Sequence, residues 1–278
     1  VIAVGEKKLK EMLVDEQLLI PCIYDCASAK VAEQTGYKAI MLSGASISYA
    51  MDGLPDMAMA TIDELVFAAE HITNCTKIPL LVDGDDGYGE SPAVVYRNVK
   101  RLIQAGAQAI TIEDSTGIRG FERRIAVENT PGAAAFVDSL VSKEQWLAKI
   151  KAGAEACEGT DCMIIARTNC YPQLGLEAAM ERCGQARKMG AYLTLICSGG
   201  LKSVDDARIA GEMDPGWKVW PDIVSKNGVP NITLEKVKPY GFNAVTCHVF
   251  EKGAIYGMMS YGRRSMMFGE DEKYEEKN

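Results

Sequence analysis

Three carboxylates stand within four residues in the stretch Asp83-Gly84-Asp85-Asp86-Gly87-Tyr88-Gly89, directly after the apolar run Ile78-Pro79-Leu80-Leu81-Val82. Such a cluster repels itself unless a cation sits in it, and hard cations such as Mg²⁺ prefer carboxylate oxygens. The glycines let the backbone turn sharply and let a ligand come close. Further on, Ala109-Ile110-Thr111-Ile112 ends in Glu113-Asp114. Two apolar runs that end in acids point to one shared site. Other run ends add Asp25, then Ser43-Gly44-Ala45-Ser46, Arg167, Cys197-Ser198 and Asp222. Arg167 offers a fork for a substrate carboxylate. The Ser43-Gly44-Ala45 turn offers backbone N–H groups and a hydroxyl to an anion. Each residue also has a plain alternative. Asp83 and Asp85 could cap a turn, Arg167 could pair with a barrel acid, Cys197 could be a packing thiol, and His248 a buried, hydrogen-bonded imidazole.

These side chains need a scaffold that brings run ends together. Eight short apolar runs recur: Leu18–Tyr24, Ala39–Ser43, Pro79–Asp83, Ala109–Glu113, Met163–Arg167, Tyr192–Ile196, Lys218–Pro221 and Ala244–Cys247. They are nearly continuous rather than alternating, as parallel strands buried on both faces are. Between them lie stretches with helical periodicity, such as Val95, Val99 and Leu102, or Ile62, Leu65, Val66 and Ala69. Gly36, Gly106, Gly190 and Gly241 each precede a run and read as helix C-cap glycines. Eight strand–helix units predict a single-domain (β/α)₈ barrel over residues 1–278, with a doubly wound open sheet as the alternative. The segment 115–142 is too long for a minimal connection and should lie over the barrel's C-terminal face. The acidic tail 269–278 should be frayed.

Composition narrows the classes. The chain has 278 residues, 47% of them hydrophobic and 24% charged, the mix of a soluble globular protein. The net charge of -8, without a basic block, argues against nucleic acid and anionic membrane as partners. No apolar run approaches the ~20 residues of a membrane span. Residues 1–6 lack the features of a signal peptide. Nine scattered cysteines with no CxxC pair read as reduced thiols in a cytoplasmic protein. With two histidines only, the chemistry must rest mainly on carboxylates, arginine, hydroxyls or metal.

The motifs as a set resemble the isocitrate lyase/phosphoenolpyruvate mutase superfamily. They are Asp83-x-Asp85-x-Gly87-Tyr88-Gly89, Glu113-Asp114, Ile165-Ala166-Arg167-Thr168, and Ser43-Gly44 followed by Gly53-Leu54-Pro55-Asp56. The resemblance runs from about Leu18 to Ala254 and includes 2-methylisocitrate lyase and petal-death-protein members. It implies an α/β barrel, Mg²⁺ (or Mn²⁺), and a homotetramer that swaps a C-terminal helix. It also implies a 2-oxo or 2-hydroxy carboxylate as the small-molecule partner. By resemblance Asp83 and Asp85 are metal-site aspartates and Glu113 is the outer-sphere carboxylate of the metal site. Arg167 holds carboxylate and oxyanion, Ser43, Gly44 and Ala45 bind the α-oxo acid, and Asp56 is a gate-loop acid.

The departures are as informative. Lyases of this family carry a KKCGH-type loop after the fourth strand, with the cysteine as proton donor. Here the sequence is Gly117-Ile118-Arg119-Gly120-Phe121-Glu122-Arg123-Arg124. The lyases' glutamate after strand six aligns with Cys197, and their asparagine after strand seven with Asp222. Arg119 and Arg123 on the rebuilt loop are candidates to clamp a second carboxylate, and Cys197, Glu122 or water to donate the proton. The expected activity is a Mg²⁺-dependent carbon–carbon lyase acting through an enolate-like intermediate. The alternatives are an oxaloacetate-type decarboxylase or hydrolase, a phosphonate-acting mutase relative, or a non-catalytic carboxylate binder.

Overall fold

The structure is a computed structural model that describes residues 8–54, 56, 58–116, 140–197, 201–223, 225–226, 229–230 and 232–267. Eight strands carry the core: β1 (Leu18–Ile23), β2 (Ile40–Leu42), β3 (Leu80–Asp83), β4 (Ala107–Glu113), β5 (Met163–Thr168), β6 (Leu193–Ile196), β7 (Lys218–Trp220) and β10 (Phe242–Cys247). They are all parallel and close into a barrel, with β10 pairing both β7 and β1. The open-sheet alternative is thereby excluded. A small antiparallel pair, β8 (Ser225–Lys226) and β9 (Val229–Pro230), was not foreseen from sequence.

Helices α2 (Cys26–Gln34), α4 (Ile62–Cys75), α5 (Pro92–Gln104), α6 (Lys143–Cys157), α7 (Tyr171–Lys188) and α8 (Val204–Met213) wrap the barrel. Their starts are written in the sequence. Ser91, for instance, accepts from the Val94 N–H at 3.3 Å ahead of Pro92, whose missing N–H is not needed in the first turn. Val95, Val99 and Leu102 of α5 are buried, as their spacing requires. The four glycines read as C-caps all hold positive φ. The described chain also has the short helices α1 (Leu9–Asp15), α3 (Gly44–Ile47) and α9 (Leu234–Val237) and the long terminal α10 (Phe250–Met267).

Two apolar layers result. Leu18, Ile20, Cys22, Met41, Leu81, Ala109, Met163, Ile165, Leu193, Leu195, Val219 and Ala244 form one cluster, and α1 adds Leu9, Met12 and Leu13 to it. Their spacing of two along each strand marks the barrel interior. The intervening residues, such as Ile40, Val82, Ile110, Ile112 and Ile164, pack outward against the helices. Helix α1 plugs the bottom of the barrel: Leu9 N–H donates to Gln108 at 2.8 Å and Asn243 to the Leu13 carbonyl at 2.6 Å, both at strand starts.

Candidate active site

Counting inward positions in steps of two places the site. The sequence from Met41 reaches Ser43, from Leu81 Asp83, from Thr111 Glu113, from Ile165 Arg167, from Leu195 Cys197 and from Thr246 His248. All six stand at the C-terminal end of the barrel. Ser43, Asp83, Arg167, Cys197 and His248 line one cavity of about 450 Å³, with Lys202, Asp222, Thr246 and an apolar wall of Cys22, Met41, Leu195, Leu201 and Pro221. A cavity of about 540 Å³ elsewhere, beside Phe250, holds Glu16 and Lys38 as its charged groups, already paired at 2.5 Å. The chemistry-bearing residues identify the first cavity as the site.

The acids are held by their strands and by the turn between. Glu113 and Arg167 are direct partners in the β4–β5 register, and Arg167 Nε meets Glu113 Oε2 at 2.9 Å. The Arg167 guanidinium also faces Asp83 at 3.4 Å. Burial acts against its charge, yet Cys197, Glu113, Asp83 and Asp85 more than offset this and its pKa is raised well above the usual arginine value. Asn169, unforeseen from sequence, donates to Glu113 Oε2 at 3.0 Å, and Ser115 donates to Glu113 Oε1. So without ligand Arg167 sits among acids, the plain alternative noted for it. It still lines the cavity where a carboxylate would enter.

The DGDDGYG turn is built for close approach. A Cβ on Gly84 would come within 2.4 Å of the Thr111 carbonyl, so only glycine lets β3 leave its neighbour there. Asp85 holds a left-handed φ of 42°, a strained conformation for a residue with a side chain. Its carbonyl accepts from Glu113 N–H at 2.7 Å and its Oδ2 from the Tyr88 hydroxyl at 2.9 Å. Burial, then the neighbouring Asp85 and Asp83, raise the Tyr88 pKa well above its ordinary value. Asp86 turns away from the cavity. It caps the turn by accepting from Tyr88 N–H at 2.9 Å and pairs with buried Lys149 of α6 at 3.1 Å. Buried Asn98 of α5 donates to the Gly87 and Tyr88 carbonyls at 3.1 Å each. Asp114 also faces outward and is fully buried. Thr168, the Asn169 N–H and Arg182 bond to it at 2.6, 2.8 and 2.9 Å, while burial keeps its pKa raised.

Among the described residues, no three His, Cys, Asp or Glu side chains converge closely enough to enclose a metal. The donor chemistry is that of a hard cation such as Mg²⁺, which takes few carboxylates and keeps several waters. Below Asp83 and Glu113, Thr111 Oγ1 is buried and has no protein hydrogen-bond partner. Of the expected metal set Asp83, Asp85 and Glu113, the last has both oxygens engaged by Arg167, Asn169 and Ser115. Glu113 does not itself line the cavity.

Other expectations divide. Ser43 caps α3, its Oγ accepting from Ser46 N–H at 3.4 Å, and Gly44 lies against Asp85, where a Cβ would stand 3.3 Å from Oδ2. Ala45 is on the same turn but does not line the cavity. Asp222, a substrate-binding candidate, lines the cavity and also accepts from His248 Nδ1 at 3.1 Å and from the His248 backbone N–H at 3.0 Å. Asp56 is exposed and away from the cavity, because it follows the turn at Gly53 rather than a strand end. Arg119, Arg123, Glu122 and Ser198 lie outside the described residues, as does the tail 269–278. The long segment does spring from this face: Ser115 bridges Leu140, and Val141 N–H donates to the Asp114 carbonyl at 2.9 Å. His248 and Lys202 were missed as site residues. The signal for His248 was present in the step of two from Ala244.

The chain matches known proteins over most of its length. The family described as phosphoenolpyruvate phosphomutase matches residues 9–265. The 2-methylisocitrate lyase of Escherichia coli (strain K12) is 37% identical over 165 residues, which are 59% of this chain and 52% of that protein. The petal death protein of Dianthus caryophyllus is 31% identical over 249 residues, 88% of this chain and 73% of that protein. The solved structure of oxaloacetate acetylhydrolase in complex with the inhibitor 3,3-difluorooxalacetate superposes with a TM-score of 0.79 at 28% identity, covering 95% of this chain and 86% of that one. The chain therefore spans about half the length of the lyase it matches.

Proposed function

Because the chain belongs to the phosphoenolpyruvate phosphomutase family, within the isocitrate lyase/phosphoenolpyruvate mutase superfamily, we propose that it is a Mg²⁺-dependent carbon–carbon lyase. Its substrate is a small 2-hydroxy or 2-oxo (di)carboxylate, cleaved through an enolate-like intermediate. The observation that carries this is the convergence of Asp83 and Arg167 on one cavity, with Glu113 and Asp85 directly behind them. Asp83 and Asp85, backed by Glu113, would hold Mg²⁺, which would supply Lewis acidity toward the substrate's oxygens. Arg167 binds the substrate carboxylate and opposes the charge that develops as the bond breaks. Ser43 and the Gly44–Ala45 backbone orient the oxo acid. Lys202, which also lines the cavity, meets a second carboxylate. The wall of Leu195, Leu201 and Pro221 limits water around the intermediate. Turnover of a panel of 2-hydroxy dicarboxylates with Mg²⁺, compared with and without chelator, tests this. Full turnover of every substrate found by Asp83→Ala would sink the metal mechanism.

A second reading keeps the intermediate and changes the bond. Decarboxylation of an oxaloacetate-like acid needs only the metal and an electron sink, so it does not require the cysteine that 117–124 lacks. The likeness to a solved oxaloacetate acetylhydrolase favours a ligand of that size. Pyruvate release from oxaloacetate above background with Mg²⁺ alone would favour it. Tight oxo-acid binding with no turnover of either class would mark a non-catalytic binder.

The proposal includes a homotetramer joined through α10. That helix leaves Tyr256, Met258, Met259, Tyr261 and Met266 at least half exposed, an apolar surface that a partner subunit would cover. Light scattering that gives a monomer would exclude it. All nine cysteines are free, which supports a reducing, cytoplasmic setting. Among the described residues no helix is long and apolar enough to cross a membrane.

A further inference from the structure

We propose that His248, held by Asp222, is the catalytic proton donor and acceptor of this cavity, taking the place that a loop cysteine holds in related lyases. The inference rests on the enolate reading above and assigns its protonation step. It starts from register. In β10, Ala244 and Thr246 point inward, and the next inward position is His248. The residue shares the cavity with Asp83, Arg167 and Ser43, the groups that hold the oxo acid in the proposed function.

The imidazole is oriented rather than loose. Asp222 Oδ1 accepts from His248 Nδ1 at 3.1 Å and from the His248 backbone N–H at 3.0 Å. A carboxylate on Nδ1 fixes the tautomer and leaves Nε2 as the reacting nitrogen, the arrangement that a general acid–base histidine needs. Among the described residues Nε2 has no hydrogen-bond partner. The two side chains are similarly accessible, 32% and 33% exposed, so proton exchange with water is open to the pair. Around the ring stand Asp222 from the end of β7, Asp83 from β3, Arg167 from β5, Cys197 from β6, Cys22 from β1, and Lys202 and Lys252. The hydrogen bond to Asp222 raises the His248 pKa against the opposing effect of burial, so the protonated ring persists toward neutral pH.

The step balances simply. When the carbon–carbon bond breaks, its electron pair stays on the fragment that becomes the enolate. The Nε2–H bond then breaks, a C–H bond forms at the enolate carbon, and the ring is left neutral with Nδ1–H still on Asp222. Solvent returns the proton to Nε2. In reverse, neutral Nε2 removes a proton from the methyl carbon of pyruvate.

Exchange of pyruvate methyl protons in D₂O, followed by proton NMR on the Mg²⁺-loaded protein, reads this step without a known natural substrate. Wild-type protein should exchange. His248→Gln should exchange at least about 100-fold more slowly while binding oxalate, measured by calorimetry, within a factor of about two. Asp222→Asn should fall between them, since Asn can still accept at Nδ1 but cannot support the charged ring. Should His248→Gln lose its circular dichroism spectrum, His248→Asn is read in the same assay. Wild-type exchange with undiminished exchange in a folded His248 variant overturns the assignment and leaves the enolate reading standing. No wild-type exchange, together with no turnover of oxaloacetate, overturns the enolate reading and this inference with it.

Discussion

At the bottom of the barrel, Arg187 from the end of α7 donates to Asp214 at 2.5 and 2.8 Å, to the Tyr192 and Trp217 carbonyls at 2.9 and 2.6 Å, and to Thr194 at 3.0 Å. Lys218 closes the same network on the Asp214 and Gly216 carbonyls. The guanidinium lies so tightly on Gly216 that a Cβ there would meet its Cζ at 2.2 Å. At the top, Arg167 is as charged and even more deeply set, yet it faces Asp83 at 3.4 Å across an open cavity. One arginine is saturated by partners of fixed geometry. The other has one close partner, Glu113 at 2.9 Å, and longer contacts to Asp83 that a ligand can take over. Buried charge at the bottom therefore serves the fold, and buried charge at the top is kept available for a ligand.

The largest expected effect is at the top. Asp83→Ala should cut turnover by about 10³-fold or more, because the metal contributes several kcal/mol to charge stabilisation. It should leave thermal stability unchanged or raised, since like charges are relieved. A large drop in melting temperature would erase the contrast between the two ends. Arg187→Ala should do the reverse, costing roughly 3–5 kcal/mol in urea unfolding by stranding buried Asp214. The kcat of the folded fraction should stay within a factor of about three.

A pH experiment sharpens the comparison. Burial lowers the Lys218 pKa to about 8. The unfolded chain then binds more protons than the native one between about pH 8 and the ordinary lysine value of about 10.4. Lys218 thus makes stability rise with pH across that window, and below it the charged group costs the fold. Urea midpoints of Lys218→Met should lack the rise that wild type shows; an identical slope would refute the assignment. The smallest effect is expected at Asp86→Asn. Asn keeps the bond from Tyr88 N–H that caps the turn, so turnover should change less than about threefold. A changed Mg²⁺ requirement would instead place Asp86 in the metal's water shell.

Much of this was legible in sequence. Apolar runs and C-cap glycines located all eight barrel strands, with ends displaced by a residue or two: β4 begins at Ala107 and β10 at Phe242. Ser43, Asp83, Glu113 and Arg167 were found because strand ends of a barrel converge whatever the details of packing. His248 directly follows the run Ala244–Cys247, but a buried, hydrogen-bonded imidazole fits that position equally well in sequence, and only the cavity distinguishes the two. Asn169 and Lys149 gave no local signal. Lys149 sits in α6, and its burial against Asp86 exists only through the α6–turn contact.

Sequence alone determined the strand–helix repeat that favours a barrel, the acid-rich turn and the family resemblance. These follow from periodicity and from residues whose chemistry is local. Only the tertiary structure decided which acid does what. It turned Glu113 inward and Asp114 outward, because adjacent residues of a strand face opposite sides. It gave Asp86 to Lys149 and Asp222 to His248, because those partners lie 63 and 26 residues away in the chain and meet only when the barrel closes.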